Sequence, residues 1–126
     1  VRVGLIPEFG CTYFLPRLVG LGKAYELVFT GKIIDATEAK EMGLVDEVVT
    51  PGELRKVTYD MAKTIALNAP IAVRLAKQAL YQGINSDLET QLHSEHLGQI
   101  TCYETEDHAE GAKSFVEKRQ PKFWGR

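Results

Sequence analysis

Helix starts recur along this chain. Asp35-Ala36-Thr37-Glu38, Thr50-Pro51-Gly52-Glu53 and Ser86-Asp87-Leu88-Glu89 each set a short polar residue three positions ahead of a glutamate. In that pattern the first side chain accepts from an N–H of the opening turn and the glutamate reaches back, so orphan donors are satisfied in pairs. The residues that follow keep helical spacing. Leu54, Val57, Met61 and Ile65 make one apolar stripe, and Ile71, Leu75 and Ala79 a second. Leu88, Leu92, His96, Ile100 and Tyr103 make a third, and each stripe is expected to be a buried helix face. Pro51 falls at a first helical position, where its missing N–H is harmless. Pro70 ends one helix or starts the next. Thr105 is placed to cap a last helix carrying Ala109, Ala112 and Val116. A short helix over Lys23–Thr30 should close at Gly31, another at Gly43, where glycine accepts the left-handed C-terminal position at little cost, and a third at Gly83.

One segment breaks the pattern. Leu44–Val49 is apolar and β-branched at most positions and reads as a strand. A lone strand leaves its backbone groups unpaired, so either Val1–Ile6 supplies a partner or the partners lie outside the chain. The expected fold is therefore mostly α, with one or two short strands.

With 126 residues the chain has room for one domain. Fifteen Lys and Arg against seventeen Asp and Glu leave a formal charge of -2, which argues against nucleic acid or an anionic membrane as the main partner. No apolar run approaches the roughly 20 residues that span a bilayer. Cys11 and Cys102 match no metal or redox spacing and read as free, mostly buried thiols, which suggests the cytoplasm or an equally reducing organelle. His93, His96 and His108 lack a third ligand at a matching distance and read as surface or core-edge residues, so no metal is expected.

The chemistry concentrates near the start. Gly4–Gly20, GLIPEFGCTYFLPRLVG, holds two prolines, three aromatics and a single carboxylate, Glu8, just ahead of a helix expected to begin near Gly10. Apolar neighbours strip hydration from a carboxylate and disfavour its charged form, whereas a helix N-terminus favours the anion. A base held between these forces can take a weakly acidic C–H proton and return it. Gly10 would let a substrate approach closely. The alternative for Glu8 is plain charge complementarity to the helix dipole.

The run from Gly4 to Val49 resembles the second half of a crotonase, the enoyl-CoA hydratase/isomerase family. The matching elements are Gly-Leu-Ile-Pro, the Gly10 turn followed by Thr12, Leu-Pro-Arg-Leu-Val-Gly, Thr-Gly-Lys-x-Ile-x-Ala-x-Glu-Ala and Gly-Leu-Val-x-x-Val-Val. The likeness continues to Phe-Val-Glu-Lys-Arg and so covers nearly all of the chain. It implies a fragment of the crotonase fold: residues 1–50 as the end of the core with the active-site turn, residues 51–126 as a helical oligomerisation region. The chain opens at Val1 without Met, which agrees with a C-terminal half. Crotonases carry their oxyanion hole, and one of the two hydratase glutamates, in the first half. The other glutamate falls just before the position of Val1. Hydratases typically have glycine where Glu8 stands, and an acid there resembles the enoyl-CoA isomerases.

Carried over, Glu8 would move a proton from C2 to C4 of a 3-enoyl-CoA through a thioester enolate. Phe9, which replaces a smaller residue, and Gly10 would line the substrate. Phe115 and Lys118 fall where the family's last helix supplies an aromatic and a lysine to coenzyme A bound by a neighbouring subunit. For those two the alternative is a core Phe and a solvated basic terminus. Coenzyme A belongs to the substrate, so no cofactor is implied. The intact protein would bind an acyl-CoA thioester and form a homotrimer, and the chain alone would be inactive. The rival readings are hydration by glutamates outside this chain and a non-catalytic helical oligomerisation module.

Overall fold

A computed structural model describes residues 1–126 and contains six helices and no strand. Two compact units divide it, Val1–Leu54 and Arg55–Arg126.

In the first unit an irregular segment leads into α1, Cys11–Thr30. This helix is broken at Gly20, whose φ of 78° and ψ of 159° are open only to glycine. The expected Lys23–Thr30 helix is thus the second arm of a kinked pair. It closes at Gly31, left-handed at φ 62°, whose N–H bonds Leu27 O at 3.0 Å. The helix α2, Ala36–Glu41, starts where the sequence places it: Asp35 accepts from the Glu38 N–H at 2.8 Å. The Glu38 carboxylate does not reach back, however, and pairs with Lys32 instead. Gly43, at φ 78°, ends α2 in a Schellman motif, with Leu44 N–H on Ala39 O at 2.9 Å and Gly43 N–H on Lys40 O at 3.0 Å. The core here is small: Ala24 and Ala39 are its buried apolar residues.

The strand expected over Leu44–Val49 does not form, and Val1–Ile6 is not its partner. Val1–Gly4 closes a turn through Gly4 N–H on Val1 O, and the first two residues after Gly43 remain tied to the end of α2. β-propensity reports a fit to a pleated surface, and no residues of this chain provide one.

The second unit holds α3, Leu54–Ala66; α4, Pro70–Gly83; α5, Leu88–Tyr103; and α6, Glu106–Val116. Two caps differ from the sequence reading. Thr50 and Glu53 bond each other through their side chains at 2.7 Å in a turn, and α3 begins only at Leu54. Asp87, not Ser86, caps α5, accepting from the Thr90 N–H at 2.9 Å and from its hydroxyl at 2.8 Å. Thr105 caps α6 as expected, with the His108 N–H at 3.0 Å.

Helices α4 and α5 form a hairpin in which Ile71, Leu75 and Ala79 are half-buried. The inner face of α5 is not its apolar stripe. Gln91, Ser94, Gly98 and Cys102 are half-buried, while Leu88, Leu92, Ile100 and Tyr103 are exposed. Gln91 Nε2 donates to Ala79 O at 3.0 Å and Gln82 Nε2 to Ser94 Oγ at 2.8 Å, so the hairpin is crosslinked by amides. The α3 stripe is likewise uncovered, with Leu54, Met61 and Ile65 exposed. Cys11 and Cys102 are free and half-buried, less enclosed than the sequence suggested.

Candidate functional site

The singled-out residues fall in two places, one in each unit. In the first, Glu8, Phe9 and Gly10 form the turn that enters α1. Phe9 (φ 55°) and Gly10 (φ 79°) are both left-handed, and Cys11 N–H closes the turn on Glu8 O at 3.0 Å. Glycine is favoured at position 10 on two counts: its left-handed φ suits glycine best, and a Cβ there would stand 2.8 Å from the Phe14 ring, which would have to shift. Gly10 offers α1 no side-chain cap, and no acid occupies the first turn, so Glu8 is the carboxylate nearest in sequence to this helix start. Its apolar neighbours do not enclose it. Glu8 is exposed and Phe9 is 98% exposed, so the dehydration argued from sequence is not met within this chain. A left-handed aromatic with no packing is disfavoured on both counts.

The second place is the end of α6. Phe115 is 85% exposed, so no residues of this chain bury it. Lys118 is exposed and left-handed at φ 53°. It sits at the C′ position of a second Schellman motif, with Arg119 N–H on Ser114 O at 3.1 Å and Lys118 N–H on Phe115 O at 3.3 Å. Phe9 and Lys118 are the chain's two positive-φ residues other than glycine. His93, His96 and His108 are exposed; His108 stands edge-on to Tyr103.

The sequence reading missed what surrounds Lys118. Arg119 grips Glu110 through both terminal nitrogens, at 2.6 and 2.8 Å, and Glu117 through Nε at 2.6 Å. Glu110 also accepts from Lys122 N–H at 2.8 Å. The Arg119 guanidinium, followed by the Lys122 N–H, holds the Glu110 carboxyl down at about 2. Asp107, 2% exposed, accepts from the N–H groups of Trp124 at 2.6 Å and Gly125 at 2.8 Å, and so pins the end of the chain along α6.

The family model for enoyl-CoA hydratase/isomerase matches residues 1–126. The chain belongs to that family. It is 44% identical over 120 residues to the short-chain-enoyl-CoA hydratase of Clostridium acetobutylicum, covering 95% of this chain and 46% of that protein. It is 36% identical over 126 residues to an enoyl-CoA isomerase/hydratase of Mycosarcoma maydis, covering all of this chain and 46% of the relative. Among solved structures, the enoyl-CoA hydratase of Bacillus anthracis superposes with a TM-score of 0.96 at 46% identity, over 99% of this chain and 48% of that one. The helices described above are thus those of a crotonase fold, and the chain spans about half the length of the family members it matches. No helix is long and apolar enough to cross a membrane.

Proposed function

We propose that this chain is the C-terminal half of an acyl-CoA-processing enzyme in which Glu8 shifts a double bond by proton transfer. The observation that carries this reading is the Pro7–Gly10 turn. It presents a lone carboxylate at an uncapped helix start and keeps an aromatic, Phe9, in a disfavoured conformation that no packing within this chain offsets. Strain of this kind persists where it serves a site. The Glu8 carboxylate takes the proton from C2 of a 3-enoyl-CoA, the electron pair moves into the thioester enolate, and the acid returns the proton at C4. Phe9 and Gly10 face the acyl group. Phe115 and Lys118 meet coenzyme A, the ring against adenine and the ammonium on a phosphate.

Glu8 alone does not stabilise an enolate, because that charge needs an oxyanion hole. Loss of a single donor of such a hole typically costs about 10²–10³ in rate, so the 126-residue chain by itself is silent. Its uncovered stripes on α3 and α5 suit association, and the intact protein is a homotrimer in this reading. The second reading, hydration by glutamates outside this chain, is favoured by the hydratase names of the Clostridium and Bacillus relatives. A substrate panel separates the two. Intact protein given a 3-enoyl-CoA should yield the 2-enoyl isomer without uptake of water. Formation of 3-hydroxyacyl-CoA from a 2-enoyl-CoA, with no double-bond shift, would establish hydration instead.

A further inference from the structure

Two helices of this chain end in the same bonding pattern with different residues at the left-handed position. At the end of α2 it is Gly43, the residue that position favours. At the end of α6 it is Lys118, for which the left-handed conformation is unfavourable. The difference lies in the next residue. Arg119 has four partners: Glu110 by a two-pronged contact, Glu117 through Nε, Gln120 O through a terminal nitrogen, and Ser114 O through its own N–H. A carboxylate fork restricts the orientation of a planar guanidinium, and the bond from a terminal nitrogen of Arg119 to Gln120 O at 3.2 Å ties that group to the backbone just beyond Lys118. Glu110 in turn is fixed by Lys122 N–H, so the clamp spans from the second turn of α6 to the chain beyond it.

We propose that Arg119, locked by Glu110 and Glu117, is a positioning residue that holds Lys118 left-handed and presents its ammonium to a phosphate of a coenzyme A thioester. This rests on the assignment of Lys118 to coenzyme A made above. A lysine stem has four rotatable bonds, so fixing its base narrows the volume its charge explores and lowers the entropy lost on binding. The clamp acts on binding of the nucleotide end and leaves the reacting carbons alone.

The test compares two substrates on the intact enzyme: an acyl-CoA, and the same acyl group on pantetheine, which lacks the nucleotide phosphates. Arg119→Gln should raise KM for the CoA ester about tenfold, leave kcat within about twofold, and leave KM for the pantetheine ester unchanged. In a Lys118→Ala background Arg119→Gln should add nothing, because the group it positions is gone. Glu110→Gln, a milder change that keeps the side chain's shape, should give the same KM pattern. Equal losses on both substrates would mean that the clamp only supports the helix end, and would overturn the proposal. If Lys118→Ala discriminates between the substrates and Arg119→Gln does not, the positioning role falls and the Lys118 assignment stands. If neither discriminates, both fall.

Discussion

Removing the Asp107 carboxylate should free the last residues of the chain. The side chain is 2% exposed, and its two oxygens accept from Trp124 N–H at 2.6 Å and Gly125 N–H at 2.8 Å. A hydrogen bond to a charged group contributes about 1.5–3 kcal/mol, which puts two of them at about 3–6 kcal/mol if both donors stayed buried and unpaired. They need not stay so, because the tail can lift and hydrate them. The loss is then capped by the free energy of tail docking, and about 3 kcal/mol is the expected value for Asp107→Ala. Asp107→Asn is the sharper variant. Its shape is preserved, yet one oxygen becomes an NH₂ that faces an N–H, so it should cost nearly as much as alanine. Denaturant unfolding gives the stability, and hydrogen exchange at Trp124 and Gly125 reports the docking directly. The reasoning is refuted if Asp107→Asn leaves both amides as protected as in the wild type, or costs less than about 0.5 kcal/mol.

Lys118→Gly should raise stability by about 1 kcal/mol, since it relieves a left-handed non-glycine residue, and a melting curve checks it; a lower melting temperature would show that the lysine side chain stabilises the helix end. Glu110, lowered from the ordinary 4.5 to about 2 chiefly by Arg119, contributes stability that is fully present above 4.5 and is lost as pH falls toward 2. An NMR titration of the Glu110 carboxyl should find its midpoint near 2, and Glu110→Gln should remove the matching acid-induced loosening of the tail.

Most helices were legible because their signals are local. Asp35 and Thr105 cap through contacts three residues away, and Gly31 and Gly43 end helices by their own conformational freedom. Where two capping residues compete, as Ser86 and Asp87 do, spacing alone does not choose, and the carboxylate, which reaches both the N–H and the hydroxyl of Thr90, wins. The choice of inner face was less legible. Apolar periodicity marks which face wants cover, and in α5 the cover within this chain goes to Gln91, Ser94 and Gly98, whose small or hydrogen-bonding side chains allow close approach to α4. The strand over Leu44–Val49 misled for the same reason, since its residues suit a sheet that this chain does not build.

The site divides along similar lines. Glu8 stood out as a lone acid in an apolar turn that could act as a base, but the reaction it would serve came only from the family resemblance, and its exposure was not anticipated. Asp107 was invisible because its partners are backbone N–H groups 17 and 18 residues downstream, and any residue but proline provides those. The Glu110–Arg119 clamp left a trace, an acidic α6 followed by a basic tail, though nothing in that pattern says which charges meet.

The central claim is that Glu8 carries the proton. Glu8→Gln preserves the shape of the side chain and removes the base, so the measurement is the rate at which the intact Glu8→Gln enzyme converts a 3-enoyl-CoA to the 2-enoyl isomer. A fall of about 10²–10⁴-fold, with the KM for the CoA ester little changed, is the predicted result. Conversion at the wild-type rate would contradict it and leave Glu8 as a partner of the helix dipole alone.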